Sequence, residues 1–191
     1  MDRYIDITIK KDPEFSPGFI MNTLVSKLHL ALVQLKSNHI GVSFPRIPQT
    51  SLGLGRVLRI HGQKRDLDDL MKKEFLHGLT DHVRIIGPDK IPQIFRTVAV
   101  RRKQTKSNPE RIRRRLARRL ARRENIGFDE AMKKIPMVSE RHLKLPFLQF
   151  KSQSTGQFFR LFIEQKIVDG KPIDGKFNCF GISQDATLPW F

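Results

Sequence analysis

Histidine is the side chain best suited to moving protons near neutral pH, and the chain has six of them. His29 has the most suggestive position, because it falls at the margin of the apolar face of a helix predicted to begin at Ser16-Pro17-Gly18. A ring at such a margin is partly buried beside a cleft, where it can act as a general acid or base. The competing interpretation is a boundary histidine that only caps the core, which is the commoner case for a histidine chosen by position alone.

Two serines, Ser152 and Ser154, flank a tight turn predicted around Gly156, and a hydroxyl there can orient a hydroxyl group of a substrate. The Gly-x-Ser-x-Gly pattern of serine hydrolases is missing around them. The sequence also has no Walker loop, no His-Glu-x-x-His motif and no acidic cluster with metal-ligand spacing. We therefore predict no metal and no cofactor.

The positive charge is concentrated in one segment. Of a formal net charge of +17, residues 101–123 contribute 12 Lys and Arg against one acidic residue. Residues 108–123 predict a helix on which Ile112, Leu116 and Leu120 form an apolar stripe, at about 100° per residue. Six arginines form another face of that helix: Arg111, Arg114, Arg115, Arg118, Arg119 and Arg122. These like charges repel one another unless phosphates neutralise them, so a polyanion-binding helix is favoured over a solvated charged helix.

Further candidate contacts to nucleic acid lie on either side of this helix. Arg102 and Gln104 are two residues apart and would point the same way on an extended segment. Their side chains suit the edges of guanine and adenine respectively, although such residues are also common on surfaces without this role. Phe158 and Phe159 alternate across a predicted strand, so one of them faces outward and can stack on a base, although core packing is the commoner fate.

The elements that must position these residues fall into two halves. Residues 1–93 follow the order β-α-β-β-α-β, which predicts a ferredoxin-like domain. Residues 94–191 predict a second domain, a C-terminal α/β region with the arginine-rich helix 108–123 and a β-hairpin. The predicted fold class is therefore α+β. Strands are predicted at 3–9, 40–44, 56–61, 82–86, 147–152, 157–168 and 177–182, and a strand or extended link at 94–100, with further helices at 66–76 and 128–134.

Composition also restricts the cellular location. A single cysteine, Cys179, excludes an internal disulfide and a multi-cysteine metal cluster, and it favours a reducing compartment. No stretch approaches the roughly 18 apolar residues of a membrane span, and the first residues lack the basic and apolar regions of a signal peptide. We expect a cytoplasmic protein that does not bind membranes and is a monomer when free.

Several motifs, taken together, are similar to those of one known family. They are Asp12-Pro13-Glu14-Phe15, Lys27-Leu28-His29, Ile40-Gly41-Val42-Ser43-Phe44-Pro45, Ser107-Asn108-Pro109-Glu110-Arg111, Ser152-Gln153-Ser154-Thr155-Gly156-Gln157 and Pro189-Trp190-Phe191. With these motifs the chain resembles, nearly end to end, the CRISPR-associated endoribonucleases of type I-F systems, the Yersinia-subtype repeat-processing enzymes. The Ser152–Gln157 block and the Ser107–Arg111 segment are highly specific in combination.

The resemblance implies a concrete activity. Such an enzyme binds the hairpin of a CRISPR repeat RNA and cleaves at the base of its stem without a metal. The ribose 2′-OH attacks the adjacent phosphate, which leaves a 2′,3′-cyclic phosphate and a 5′-OH. The enzyme thereby generates crRNA for antiviral defence and stays bound to it as a subunit of the type I-F interference complex. In this interpretation residues 94–191 form the RNA-binding domain.

The resemblance also implies roles for individual residues. His29 matches the catalytic histidine, a general base on the 2′-OH, and Ser152 matches the serine that holds that ribose. The predicted RNA-binding residues are Arg102 and Gln104 as the pair that reads purines, Arg111, Arg114, Arg115, Arg118, Arg119 and Arg122 on the helix, Ser154, and Phe159 as the aromatic that stacks on the terminal base pair. Phe180 departs from the pattern, since the best-known member carries a tyrosine there, and we assign Phe180 no catalytic role. The alternative is a non-catalytic subunit that binds an RNA hairpin.

Overall fold

The computed structural model describes residues 1–48, 52–93, 96–104, 109–136, 144–151 and 156–191, without the side chains of Pro109 and Glu110. Within these ranges the chain forms two four-stranded antiparallel sheets and four helices. This architecture confirms the predicted α+β fold class.

The first half of the chain builds the first sheet. In chain order its elements are β1 (Arg3–Ile9), α1 (Pro17–Leu35), β2 (Gly41–Ser43), β3 (Val57–Gly62), α2 (Lys64–Met71) and β4 (Val83–Lys90). The strands lie in the order β2-β3-β1-β4, and every pairing is antiparallel. This is the ferredoxin-like βαββαβ arrangement that the sequence predicted.

Local sequence explains the first strand and the first helix. Ile5, Ile7 and Ile9 alternate with more exposed residues and are buried on one face of β1. Ser16 caps α1, since its hydroxyl accepts a hydrogen bond from the backbone N–H of Phe19 at 3.3 Å. The side chains of α1 that pack into the core are Ile20, Met21, Leu24, Val25, Leu28, Ala31 and Leu32.

Two predicted boundaries in this half are wrong. The helix predicted over 66–76 is α2, which begins at Lys64 and already ends at Met71. Beyond it, Glu74 and Gly78 adopt positive φ angles of 48° and 76°, which interrupt the helical path. The strand predicted to end at residue 86 is β4, which continues to Lys90 because it remains paired with β1.

The second sheet repeats the strand order of the first. Its strands are β5 (Arg96–Lys103), β6 (Phe147–Lys151), β7 (Phe158–Asp169) and β8 (Leu188–Trp190), in the order β6-β7-β5-β8 and antiparallel throughout. Counted from the first strand of each sheet, both orders are second, third, first, fourth. The strand predicted at 177–182 is wrong, because residues 178–182 form a tight turn and the last strand is β8.

The chain separates into two compact units. One comprises residues 1–103 and 145–191 and contains both sheets, and the other comprises residues 104–144. In the second unit α3 (Pro109–Glu124) is followed by α4 (Phe128–Lys134), close to the predicted helices at 108–123 and 128–134. The division into domains 1–93 and 94–191 stays a prediction.

Helix α1 also qualifies the expectation about membranes. By length and composition alone, it is the one helix among the described residues that is long and apolar enough to cross a membrane. The core helix of a soluble protein passes the same test, and α1 packs seven side chains into the hydrophobic core. The match therefore says little in favour of a span.

Strand β3 carries two buried polar side chains. Arg59 is 8% exposed, bonds both carboxylate oxygens of Asp6 at 2.7 and 2.8 Å, and lies 3.9 Å from the ring centroid of Phe191. His61 is completely buried and is hydrogen-bonded to the Ser43 hydroxyl at 2.9 Å. Burial, assisted by the positive charge of Arg59, lowers the pKa of His61 to about 3, so this ring is neutral in the folded protein at neutral pH.

Candidate active site and arginine helix

His29 is half-buried on α1, and one of its ring nitrogens is engaged by the main chain. Its Nδ1 lies 2.9 Å from the backbone carbonyl oxygen of Cys179. A carbonyl oxygen can only accept, so Nδ1 carries a proton and donates it in this hydrogen bond. In the neutral imidazole Nε2 therefore holds the lone pair, which is the state that a general base requires.

An aromatic neighbour restricts the face of the same ring. Phe180 stacks on His29 with the two ring centroids 4.0 Å apart and an interplanar angle of 3°. The hydrogen bond lies in the plane of the imidazole and the stack lies on its face, so the two contacts together limit rotation of the ring. Phe180, to which the sequence assigned no role, is thus in direct contact with the candidate base.

The turn 178–182 determines where these two contacts to His29 are made. Asn178 Oδ1 accepts hydrogen bonds from the backbone N–H of Phe180 at 2.8 Å and from that of Ile182 at 3.2 Å. Gly181 has a φ of 70°, in the left-handed region that favours glycine, and a Cβ there would lie 2.7 Å from a methyl group of Val42. Asn178 and Gly181 therefore fix the direction of the carbonyl and ring that meet His29.

The hairpin of β6 and β7 adds two rings beside this turn. Phe150 is buried, and its ring centroid lies 5.3 Å from that of Phe180 and 5.6 Å from that of Phe159. Phe159 is 38% exposed, so part of its ring is accessible to a base. Phe158 is exposed to 67%, but its predicted neighbour Phe159 is the one that joins the aromatic contacts.

The remaining predicted contacts of this region stay predictions. Arg102 is exposed near the end of β5, which stops at Lys103, and Gln104 is exposed just beyond the strand. Only Arg102 of the pair therefore lies on the strand itself. Ser152 and Ser154 lie outside the described residues.

Helix α3 presents a row of exposed arginines, called here the arginine face. Its members are Arg111, Arg114, Arg115, Arg118, Arg119 and Arg122, all of them exposed. The buried side of α3 differs from the predicted stripe, because Ala117 is completely buried whereas Leu116 is 37% exposed. Ala131 of α4 is also completely buried, so the two helices pack through small side chains.

Three hydrogen bonds link α3 to residues 132–135, and they are made by Arg113 and Lys134, which are not members of the arginine face. Arg113 is half-buried and donates hydrogen bonds to the carbonyl oxygens of Met132 at 2.9 Å and Ile135 at 3.2 Å. Lys134 donates to Glu124 at 3.3 Å, and this hydrogen bond holds the pKa of the Glu124 carboxyl below its usual range. The acidic side chain described on α3 is thus paired locally, and the arginine face keeps a strong positive charge.

The chemical capacity of the site follows from these groups. His29 can take a proton on Nε2, and the arginine face can bind a polyanion. Among the residues with described positions, no group of three or more His, Cys, Asp and Glu side chains is arranged to hold a metal ion.

Sequence reasoning missed the residues that orient His29. Cys179 contributes only a main-chain oxygen, for which no sequence signal exists. Asn178 and Gly181 are turn formers and offered a signal, but the alternation of apolar residues around them favoured a strand. Phe150 falls in the predicted hairpin without any feature that marks it out.

The fold and its side chains define a class: an α+β protein with a half-buried histidine whose Nε2 keeps its lone pair in one unit and a cationic helix in the other. Residues 4–191 match the family described as CRISPR-associated protein (Cas_Csy4), and the chain belongs to this family. It is 44% identical over 191 residues, 100% of both chains, to "CRISPR-associated endonuclease Cas6/Csy4" of Pseudomonas aeruginosa (strain UCBPP-PA14). It is 36% identical, again over 191 residues and 100% of both chains, to the protein of the same name from Escherichia coli (strain UTI89 / UPEC).

Proposed function

We propose that this protein is an endoribonuclease that binds the hairpin of a CRISPR repeat RNA and cleaves at the base of its stem without a metal. The observation that carries the proposal is the His29 ring, whose Nδ1 donates to the Cys179 carbonyl so that Nε2 keeps its lone pair. Membership of the family and the two relatives named as endonucleases support the same activity.

The chemistry needs one base and good alignment. His29 Nε2 accepts the proton of a ribose 2′-OH while the 2′-oxygen attacks the neighbouring phosphorus. The bond from phosphorus to the 5′-oxygen breaks, and that oxygen takes a proton from water, so the products are a 2′,3′-cyclic phosphate and a 5′-OH. Because nucleophile and phosphate are already linked, alignment replaces the metal-bound hydroxide that an external attack would require. Ser152, through its family resemblance, is the proposed holder of the ribose.

Binding of the hairpin is assigned to charged, aromatic and hydrogen-bonding side chains. The arginine face of α3 supplies charge for the phosphates of the stem, and its exposed guanidinium groups support this role. Phe159, 38% exposed, is the proposed platform for the terminal base pair. Arg102 and Gln104 are the proposed readers of purines at the stem base, with Ser154 as a further contact.

The fate of the product completes the proposal. The protein keeps the cleaved hairpin, acts in the cytoplasm, and joins the interference complex of a type I-F system as a subunit. A gel-shift measurement of the cleaved RNA checks the first of these points, and we expect the product to bind as tightly as the uncut hairpin.

The activity is tested with the hairpin of the protein's own CRISPR repeat in the presence of EDTA. We expect the wild type to cut once at the stem base. His29→Ala should lose about 10²- to 10⁴-fold in single-turnover rate, the usual contribution of a general base, with hairpin affinity unchanged. The matched control is His77→Ala, which removes an exposed histidine of the first half. An RNA with a single 2′-deoxy nucleotide before the cut should bind and stay intact.

Three results would contradict the proposal. Cleavage of the 2′-deoxy RNA excludes attack by the 2′-oxygen. Equal rates for His29→Ala and His77→Ala exclude His29 as the base. Tight binding of the hairpin without any cleavage by the wild type would instead define a hairpin-binding subunit that is not an enzyme.

A further inference from the structure

Four aromatic rings form a continuous row that ends at His29. The ring centroids of His29 and Phe180 are 4.0 Å apart, those of Phe180 and Phe150 are 5.3 Å apart, and those of Phe150 and Phe159 are 5.6 Å apart. The interior member, Phe150, is only 6% exposed, whereas Phe159 at the far end is 38% exposed. The row thus begins at an accessible ring and ends at the candidate base.

The backbone around this row is well fixed. Phe150 and Phe159 are directly opposite each other in the antiparallel pairing of β6 with β7. Strand β6 is also tied to α1, because the backbone N–H of Gln149 donates to Asn22 Oδ1 at 3.0 Å. The helix that carries His29 and the hairpin that carries Phe150 and Phe159 are therefore bonded to one another.

We propose that Phe150 is a positioning residue that couples the seating of RNA on Phe159 to the orientation of the His29 ring. This inference rests on the proposed function, because it assumes that a base pair stacks on Phe159. When a base pair covers Phe159, that ring loses freedom, and Phe150 and Phe180 are held in the arrangement in which the His29 ring is stacked. Close-packed rings transmit such a restriction, since a gap between them forfeits dispersion contacts.

The opposite face of the same hairpin supplies a matched control. Phe147 and Phe162 also form a ring pair, with centroids 5.6 Å apart, and they face each other in the same strand pairing. Side chains alternate along a strand, so Phe147 points away from the face that holds Phe150. Phe147→Leu therefore removes a ring from the same strand without touching the row.

The test is a double-mutant cycle on single-turnover cleavage at saturating hairpin. Phe150→Leu should slow cleavage about tenfold, the size of a coupling between packed residues, while hairpin affinity changes less than about twofold. Phe147→Leu should change neither quantity by more than about twofold. In a Phe159→Leu background the effect of Phe150→Leu should largely vanish, because the RNA no longer acts through the row. Phe150→Met, which fills more of the site, is measured in parallel in case the leucine variant unfolds.

A spectroscopic readout separates coupling from simple loss of structure. The imidazole NMR signals of His29 should shift when the wild type binds the uncleavable 2′-deoxy hairpin, and this shift should be smaller in Phe150→Leu but of full size in Phe147→Leu. Additive rate effects of Phe150→Leu and Phe159→Leu, or a His29 shift in Phe150→Leu as large as in the wild type, would overturn the inference. A wild type that binds the hairpin without cutting it would refute the proposed activity alone, since the NMR comparison still measures the coupling.

Discussion

The surroundings of His29 and the arginine face of α3 differ in the number of side chains that share the proposed role: one ring for proton transfer, and six guanidinium groups for phosphate binding. His29 is a single ring, oriented by one hydrogen bond to the Cys179 carbonyl and one stack with Phe180. The arginine face has six exposed guanidinium groups on one helix. Proton transfer needs one atom in one place, whereas phosphate binding sums many charges. Single substitutions should therefore act strongly on rate near His29 and weakly on affinity along α3.

Among variants that keep His29, the removal of several arginines at once should have the largest effect. Replacement of Arg114, Arg115, Arg118 and Arg119 by glutamine should weaken hairpin binding on the order of 10²-fold at physiological salt. The slope of log K against log salt should fall from about −4 to −5, expected for six neutralised phosphates, to roughly −1 to −2. The cleavage rate at saturating protein should stay unchanged. Binding titrations at several salt concentrations measure both quantities.

A second four-residue variant separates the effect of net charge from the effect of where the charges lie. Glutamine at the exposed cations Arg65, Lys73, Arg84 and Lys90 removes the same charge from the first half. This variant should retain most of its affinity and its salt slope. Equal losses of hairpin affinity in the two variants would mean that binding depends on total charge, and the arginine face would have no special role.

A substitution in the turn 178–182 should have a smaller effect, and it should lower the cleavage rate instead of the hairpin affinity. Asn178→Ala removes the acceptor of two backbone hydrogen bonds, which should release the turn and lower the cleavage rate about tenfold with affinity unchanged. Cys179→Ala is the matched control, since alanine keeps the carbonyl that binds His29, and it should cleave like the wild type. Single-turnover kinetics on both variants give the answer. A slow Cys179→Ala would show that the thiol, and not the main chain, matters.

The least effect on function is expected from His61, which is completely buried and is not among the residues proposed to bind or cleave RNA. Its pKa is lowered to about 3 in the folded protein, while an unfolded histidine titrates near its ordinary value of 6.5. Between these values the unfolded chain binds one proton more, so the free energy of unfolding should fall as the pH drops from 6.5 and be fully retained above it. Urea unfolding at pH 5 to 7 measures this slope.

The double variant His61→Leu with Ser43→Ala provides the control, because it removes the titrating ring together with its hydrogen-bond partner. The slope between pH 5 and 7 should flatten, and cleavage at neutral pH should not change. A slope that persists in the double variant would assign the titration to another group.

The sequence predicted the elements that depend on local patterns. β1 and α1 followed from alternating isoleucines and from the Ser16 cap, which are signals carried within a few residues. The end of α2 was missed because Glu74 belongs to a residue type that normally favours helices, yet it adopts a positive φ. Leu116 was placed on the apolar stripe of α3, yet it is 37% exposed, whereas the neighbouring Ala117 is completely buried.

The site was less predictable than the fold. His29 could be singled out by its place on α1, but its tautomer depends on the Cys179 carbonyl, which is 150 residues away in the chain. The stack with Phe180 is equally remote, and it required a turn where the sequence pattern favoured a strand. Contacts between residues so far apart in the chain leave no periodic pattern in the sequence.

The repeated strand order of the two sheets has a consequence for engineering. α1, which carries His29, connects the first and second strands of its sheet, and residues 104–144, which carry the arginine face, lie in the equivalent connection of the other sheet. That segment follows β5 and precedes β6, so a graft would replace it with only two new junctions in the chain. Under the proposed function, grafting the corresponding segment of a relative should change which RNA hairpin is bound while His29 stays in place. Variants with different repeat preferences could then be built on the same part of the chain that carries His29.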